Sequence, residues 1–190
     1  MKRYLLCLSL AVLAGGSVLI SCQSKKESTQ VADSTATAEP AAEVTVSGRL
    51  DSLGVTTEGH WRGISLGDSL ARVQKIEKAE LFETEPDHVG YSVEFPNLES
   101  MDVLYYHKGQ PLVSGIVVDL YLNTAQSVKA YSSDLTGYFT ARYGKPATED
   151  GMTVWTTPKQ EKIKLKDVST GKDFGLKIRI GETPKPKTNA

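Results

Sequence analysis

The 190-residue chain balances 22 Lys and Arg against 23 Asp and Glu, a formal net charge of −1, and 39% of its residues are hydrophobic. That balance argues against a nucleic-acid partner, which needs a strongly basic surface to neutralise phosphates. Two cysteines and three histidines leave little material for thiol or metal chemistry.

Lys2 and Arg3 precede an apolar stretch from Tyr4 to about Ile20, followed by the small residue Ser21 and then Cys22. Basic, apolar and small-residue parts in that order have the build of an export signal. Leu5 to Ile20 is shorter than the roughly 20 apolar residues of a bilayer span. It also contains Gly15-Gly16 and has no basic cluster directly after it, so a retained membrane helix fits less well. The run Leu19-Ile20-Ser21-Cys22 resembles a bacterial lipobox. That resemblance implies removal of residues 1–21, acylation of Cys22, and a mature protein held by its N-terminal lipid to an envelope membrane, at the periplasmic face or the cell surface. At about 0.8 kcal/mol per buried CH₂, several acyl chains would make such anchoring permanent. Cys7 leaves with the signal and an acylated Cys22 has no free thiol, so no disulfide, Cys nucleophile or thiolate ligand is expected.

Residues 22–58 are rich in Ser, Thr, Ala, Glu and Gln, with hardly a large apolar side chain before Val44. Such a segment cannot bury enough apolar surface to offset roughly 1 to 2 kcal/mol of ordering entropy per residue, which predicts a flexible tether. Lys25-Lys26 is unlike the acidic cluster after the lipidated Cys of surface-exported Bacteroidetes lipoproteins, which tilts the expected address toward the periplasmic face. Asp33-Ser34-Thr35 and Asp51-Ser52-Leu53 are similar to the short O-glycosylation pattern of that phylum.

A single α+β domain is expected over residues 59–182, with residues 183–190 as a polar, proline-punctuated tail and no internal repeat visible. Asp68 is a fitting N-cap, and Leu70, Val73 and Ile76 recur at helical spacing, which predicts a helix to about Glu80. The period then changes to that of strands at Val89–Phe95, Met101–His107 and Leu112–Leu122, separated by Pro96-Asn97 and Lys108-Gly109-Gln110-Pro111. Val128, Tyr131, Leu135, Tyr138 and Phe139 fall at i, i+3, i+7, i+10 and i+11, so a second helix is expected from about Ala125 to Tyr143. Asn123 or Thr124 caps its start, Gly144 supplies a left-handed residue after its end, and Gly137 marks a close approach to another element. Met152–Thr156, Lys162–Lys166 and Phe174–Ile180 complete three more strands. The expected architecture is two helices on one face of a largely antiparallel sheet, in the order αβββαβββ.

Gly63-Ile64-Ser65-Leu66-Gly67 matches the G-x-S-x-G pattern of serine hydrolases, with Asp87 and His88 or His107 as nominal partners. The chain lacks the alternating strand and helix units of that sheet, so the two glycines are better read as shaping the helix entry. His60, His88 and His107 match no ligand spacing, and neither a metal nor another cofactor is expected. Glu77, Glu80, Glu83, Glu85 and Asp87 read as a solvated acidic rim, Trp61 and Trp155 as core residues, and one of Tyr105 and Tyr106 should face away from the helices.

The basic residues give the sharpest pattern. In Lys162-Ile163-Lys164-Leu165-Lys166 and Leu176-Lys177-Ile178-Arg179-Ile180, strict alternation sends Ile and Leu to one face and the cations to the other. A hairpin through Ser169-Thr170-Gly171 sets them side by side. From Lys159 to the end there are nine basic against four acidic residues, whereas His60 to Pro158 holds eight against thirteen. Lys162, Lys164, Lys166, Lys177 and Arg179 therefore form the candidate surface for an anionic envelope component or an acidic protein face, although lysines on a late strand also guard against edge aggregation. Finally, Gly63-Ile-Ser-Leu-Gly67-Asp-Ser-Leu-Ala-Arg-Val73 resembles the Gly-rich entry and helix of SmpA/OmlA-type envelope lipoproteins. That resemblance implies two helices followed by strands and an accessory role in outer-membrane protein assembly. The leading expectation is a non-enzymatic, lipid-anchored binding module, with the assembly subunit and the serine hydrolase as alternatives.

Overall fold

The alternating Val, Ile, Leu and Tyr of the strands can be buried only if something covers one side of the sheet, and helices do so here. The computed structural model describes Val46 and residues 48–184. The expected export signal, Cys22, most of the expected tether and the end of the expected tail lie outside these residues. Three helices, α1 (Arg49–Ser52), α2 (Leu70–Ile76) and α3 (Ala125–Tyr143), accompany eight strands. The strands are β1 (Glu80–Glu85), β2 (His88–Glu94), β3 (Ser100–His107), β4 (Val113–Leu122), β5 (Ala147–Glu149), β6 (Met152–Thr156), β7 (Lys162–Asp167) and β8 (Phe174–Gly181). They form one sheet in the order β1-β2-β3-β4-β8-β7-β6-β5, antiparallel at every pairing.

The α+β class and the antiparallel sheet are as expected; the order αβββαβββ is not. Each long helix precedes four strands, because β1 and the three-residue β5 were hidden by their composition. Both are edge strands, in which nearly every side chain is exposed, so neither carries the alternation that burial on one face imposes. The two four-strand meanders meet antiparallel through their last strands, β4 and β8. The element order thus repeats as two αββββ halves, a repeat of topology in which β4 and β8 occupy corresponding places. The strands between α2 and α3 also depart from the two-helices-first order of the SmpA/OmlA resemblance.

The α3 helix has the bounds its pattern predicted. Thr124 Oγ1 accepts from the Ser127 amide at 3.0 Å, Gly144 closes the helix at φ 81°, and Val128, Tyr131, Leu135, Tyr138 and Phe139 are buried. It lies against β4, β6, β7 and β8. Phe139 packs on Trp155, with ring centroids 5.2 Å apart. Gly137 is exposed and a Cβ there would meet nothing, so no close approach explains it. The α2 helix is shorter than expected. Ser69 rather than Asp68 caps it, accepting from the Arg72 amide, and the chain leaves helical geometry at Glu77.

The expected tether does not reach residue 58. Leu50, Leu53 and Val55 are buried in the same core as Val73, Ile116 and Leu135, and Val46 packs against it, so the folded unit begins at least by Val46 and the covering layer has three helices rather than two. Three well-spaced apolar residues in a polar stretch are a weak signal, but each can fill space that no other element occupies. The second glycosylation-like triplet therefore belongs to the folded unit and not to a tether: Ser52 ends α1 exposed, with its hydroxyl donating to the Arg49 carbonyl, and Leu53 is fully buried.

A buried ion pair locks this N-terminal segment. Arg62 and Gly63 take φ of 50° and 77° between the bridged residues Trp61 and Ile64, as a tight two-residue hairpin turn demands. A non-Gly residue there costs roughly 1 to 2 kcal/mol. The Arg62 guanidinium donates Nε and Nη2 to the two Glu77 oxygens at 3.0 and 2.7 Å, and Nη1 to the Leu53 carbonyl at 2.6 Å. Tyr105 donates its hydroxyl to Glu77 at 2.9 Å, and the amides of Lys78 and Ala79 complete the carboxylate's partners. Glu77 is thus a structural carboxylate and not part of a solvated rim.

Burial alone would raise the Glu77 pKa, but the hydrogen bonds and charge of Arg62, with those of Ala79 and Tyr105, hold it below its ordinary 4.5. A lowered folded pKa means that this stabilisation is present above the unfolded value and is lost as pH falls through the folded one. Arg62→Ala leaves the carboxylate buried without its counter-charge and should cost about 3 kcal/mol or more. Urea unfolding at pH 7 and pH 4 measures it, with a smaller penalty expected at pH 4. Leu53→Ala should cost about 2 to 5 kcal/mol in the same assay, whereas a true tether residue would cost nothing.

Candidate functional site

With α1, α2 and α3 on one side, no described element covers the other face of the sheet, and strand parity decides what it displays. The core side takes Met101, Val103 and Tyr105 of β3, Ile116, Val118 and Leu120 of β4, Ile163 and Leu165 of β7, and Leu176, Ile178 and Ile180 of β8. The residues between them face outward, and the registers arrange them in rows. One row runs Asp102, Asp119, Lys177, Lys166 across β3, β4, β8 and β7. The next runs Leu104, Val117, Arg179, Lys164, Val154. Charge therefore changes sign at the β4 and β8 junction, where the two halves of the fold meet.

A groove of about 920 Å³ lies on the basic half. Lys164, Lys166, Lys177 and Arg179 line it, so four of the five cations singled out by alternation converge there. Lys162 has the same parity but stands apart, with its ammonium 2.6 and 2.8 Å from the two Glu149 oxygens. The hydrogen bond from Lys162, followed by its charge, holds the Glu149 carboxyl below the usual value. Lys177 is 2.9 Å from Asp119. Among the described residues, Lys164, Lys166 and Arg179 have no carboxylate within 4.0 Å. Val117 and Val154 are buried in the same row as Arg179 and Lys164, whose long aliphatic stems can cover apolar neighbours.

The groove also has walls that alternation of the lysines did not reveal. Tyr121, Met152 and Val168 supply apolar surface, and Lys108 and Glu182 form an ion pair at its rim. Burial, then the negative charges of Asp119 and Asp102, push the Tyr121 phenol up to about 12, so it stays neutral at physiological pH. The parity of Asp119 and Tyr121 within Val113–Leu122 was the available signal for this wall. After β8 the chain folds back over Gly115, where a Cβ would come within 2.0 Å of the Glu182 carbonyl oxygen. Only glycine fits beneath that crossing. It brings the Pro184 carbonyl 2.6 Å from Arg179 Nη1 and fixes the guanidinium at one end of the groove.

The remaining candidates do not gather into one site. The Ser65 amide donates to Asp68, and the nearest imidazole in sequence, His60, accepts from the Leu66 amide at Nδ1 and lies 3.1 Å from Glu161 through Nε2. Asp87 and His88 sit together in and beside β2, apart from Ser65, and His107 ends β3. Trp61 and Trp155 are core residues, and Trp155 donates to Thr140 Oγ1. Tyr105 faces the core, and Tyr106 faces away, 4.8 Å from the His88 ring on the acidic half. Among the described residues, no group of three His, Cys, Asp or Glu side chains is placed to hold a metal ion, and no helix is long and apolar enough to cross a membrane.

Compared with protein-family models, with curated proteins and with solved structures, the chain matches none of them.

On the acidic half, His88 bridges Asp87 at 2.6 Å and Glu83 at 3.1 Å. Burial opposes the charged ring, but hydrogen bonds to the two carboxylates and their charge outweigh it and raise the His88 pKa above 6.5. A raised folded pKa makes this contribution to stability full below the unfolded value and lost as pH rises through the folded one. An NMR titration should place the His88 midpoint above that of His88 in an Asp87→Asn, Glu83→Gln variant. Equal midpoints would contradict the bridge.

Proposed function

We propose that this protein is a lipid-anchored lipoprotein of the bacterial envelope, whose domain is a non-enzymatic binding module that meets an anionic partner through the open face of its sheet. The observation that carries the reading is the convergence of Lys164, Lys166, Lys177 and Arg179 on one groove, three of them with no carboxylate within 4.0 Å among the described residues. Solvated lysines kept only to blunt a sheet edge would be expected on an edge strand. Here β7 and β8 are interior strands of an eight-stranded sheet, with β5 and β1 at its edges.

At Gly63-Ile64-Ser65-Leu66-Gly67 binding is also favoured over catalysis, since His60, the imidazole nearest to Ser65 in sequence, is engaged by the Leu66 amide and Glu161. The N-terminal pattern ending at Cys22 supplies the anchor, and the stretch before Val46 would supply reach. An accessory role in outer-membrane protein assembly is the same module with a protein as its partner.

Photo-crosslinking in intact cells tests the reading, with the probe at Lys164 and a control probe at Lys129 on the exposed side of α3. Adducts from position 164 alone are expected, and a single discrete protein adduct would name an assembly partner. Equal adducts, or none, from both positions would contradict a partner on the open face. Cys22→Ala should abolish incorporation of labelled fatty acid, and undiminished labelling would refute the anchor.

A further inference from the structure

The cations on β7 and β8 are arranged closely enough to select the kind of anion they meet. Their register sets Lys164 beside Arg179 and Lys166 beside Lys177. Facing residues of an antiparallel pair have Cβ atoms about 4.5 to 5.5 Å apart, and alternate residues along a strand stand about 6.6 Å apart. The four cations thus surround a patch narrower than the screening length of about 8 Å at physiological salt, and they repel one another. Asp119 neutralises Lys177 at 2.9 Å. Arg179 is oriented by the neutral carbonyl of Pro184, and Lys164 and Lys166 have no carboxylate within 4.0 Å among the described residues.

Asp150 also lines the groove and offsets one of the three remaining charges without pairing with any of them, which leaves an excess of about two that a single further carboxylate would not balance. A phosphate monoester carries about −1.5 to −2 at pH 7 and presents three strong acceptor oxygens, which matches the excess charge and the spread of donors. The groove is not polar throughout, because Tyr121 and Val168 are 52% and 39% exposed beside the cations and Met152 lines the same space. Its volume of about 920 Å³ exceeds what a phosphate alone would fill, and lies in the roughly 300 to 1,000 Å³ range of small-molecule sites.

Resting on the binding-module reading, we propose that the groove holds a phosphate monoester borne on an apolar body. The phosphate sits among Lys164, Lys166 and Arg179, and the apolar part lies along Tyr121, Met152 and Val168. A phosphorylated lipid and a soluble organic phosphate share this chemistry.

The test is calorimetric titration of the mature protein, anchored in phosphatidylcholine nanodiscs, with phenyl phosphate. Phenyl phosphate should bind at least tenfold more tightly than inorganic phosphate, and phenol should give no binding. Lys164→Gln with Lys166→Gln should weaken phenyl phosphate at least tenfold while circular dichroism stays unchanged. Tyr121→Ser should lower its affinity and leave that of inorganic phosphate alone. No binding, binding indifferent to the double substitution, or equal affinity for phenol would overturn the proposal. Phosphatidic acid added to the nanodiscs separates the two sources: loss of phenyl phosphate binding identifies a membrane-borne phosphate, and unchanged binding identifies a soluble one. If phenyl phosphate fails while crosslinks from position 164 persist, the phosphate is refuted and the binding module stands; if both fail, the module falls as well.

Discussion

A sheet covered on one face only must sort its residues by parity, and nearly everything else in this protein follows from that constraint. Alternate residues of β3, β4, β7 and β8 are buried under α3 and its neighbours, so a shift of one residue in any register would carry Lys164 or Arg179 into the core and Ile163 or Ile180 into water. Burial of the apolar set therefore fixes the cations as firmly as it fixes the core. The groove needs no element of its own. It is the reverse side of the packing that holds the domain together, closed at one end by the return of the chain over Gly115.

The second organising contact is polar and lies on the other side. Arg62, held in a left-handed turn, joins Glu77 at the end of α2, the Leu53 carbonyl and, through Glu77, Tyr105 in β3. A buried pair of this kind is a weak source of stability, because desolvation offsets much of the attraction, but loss of one member is expensive. Its effect is to specify position: the segment before α2 has few apolar residues, and the pair sets where Leu50, Leu53 and Val55 enter the core.

Much of the fold was legible because burial on one face writes a period into the sequence. The α3 helix and the central strands followed from periods of 3.6 and 2, and the hairpin of cations from the alternation in Lys162–Lys166 and Leu176–Ile180. What was missed lacked that imprint. Edge strands β1 and β5 bury almost nothing, α1 is four residues long, and Glu77 could not be told from its exposed neighbours because its burial depends on Arg62, fifteen residues away. The site was half legible. Parity located the cations, but the separation of Lys162 depends on Glu149 across β6, and the Tyr121 wall depends on β4 lying next to β8 rather than β5. Pairing between distant strands leaves no local signal.

The central claim is that the open face is occupied where the protein works. Lysine acylation compared residue by residue between intact cells and purified protein tests it most directly. Occupancy predicts that Lys164 and Lys166 are protected in cells relative to the purified protein, while exposed Lys129 on α3 reacts equally in both. Equal reactivity of Lys164 and Lys166 in the two settings would mean that the face is bare, and would contradict the account.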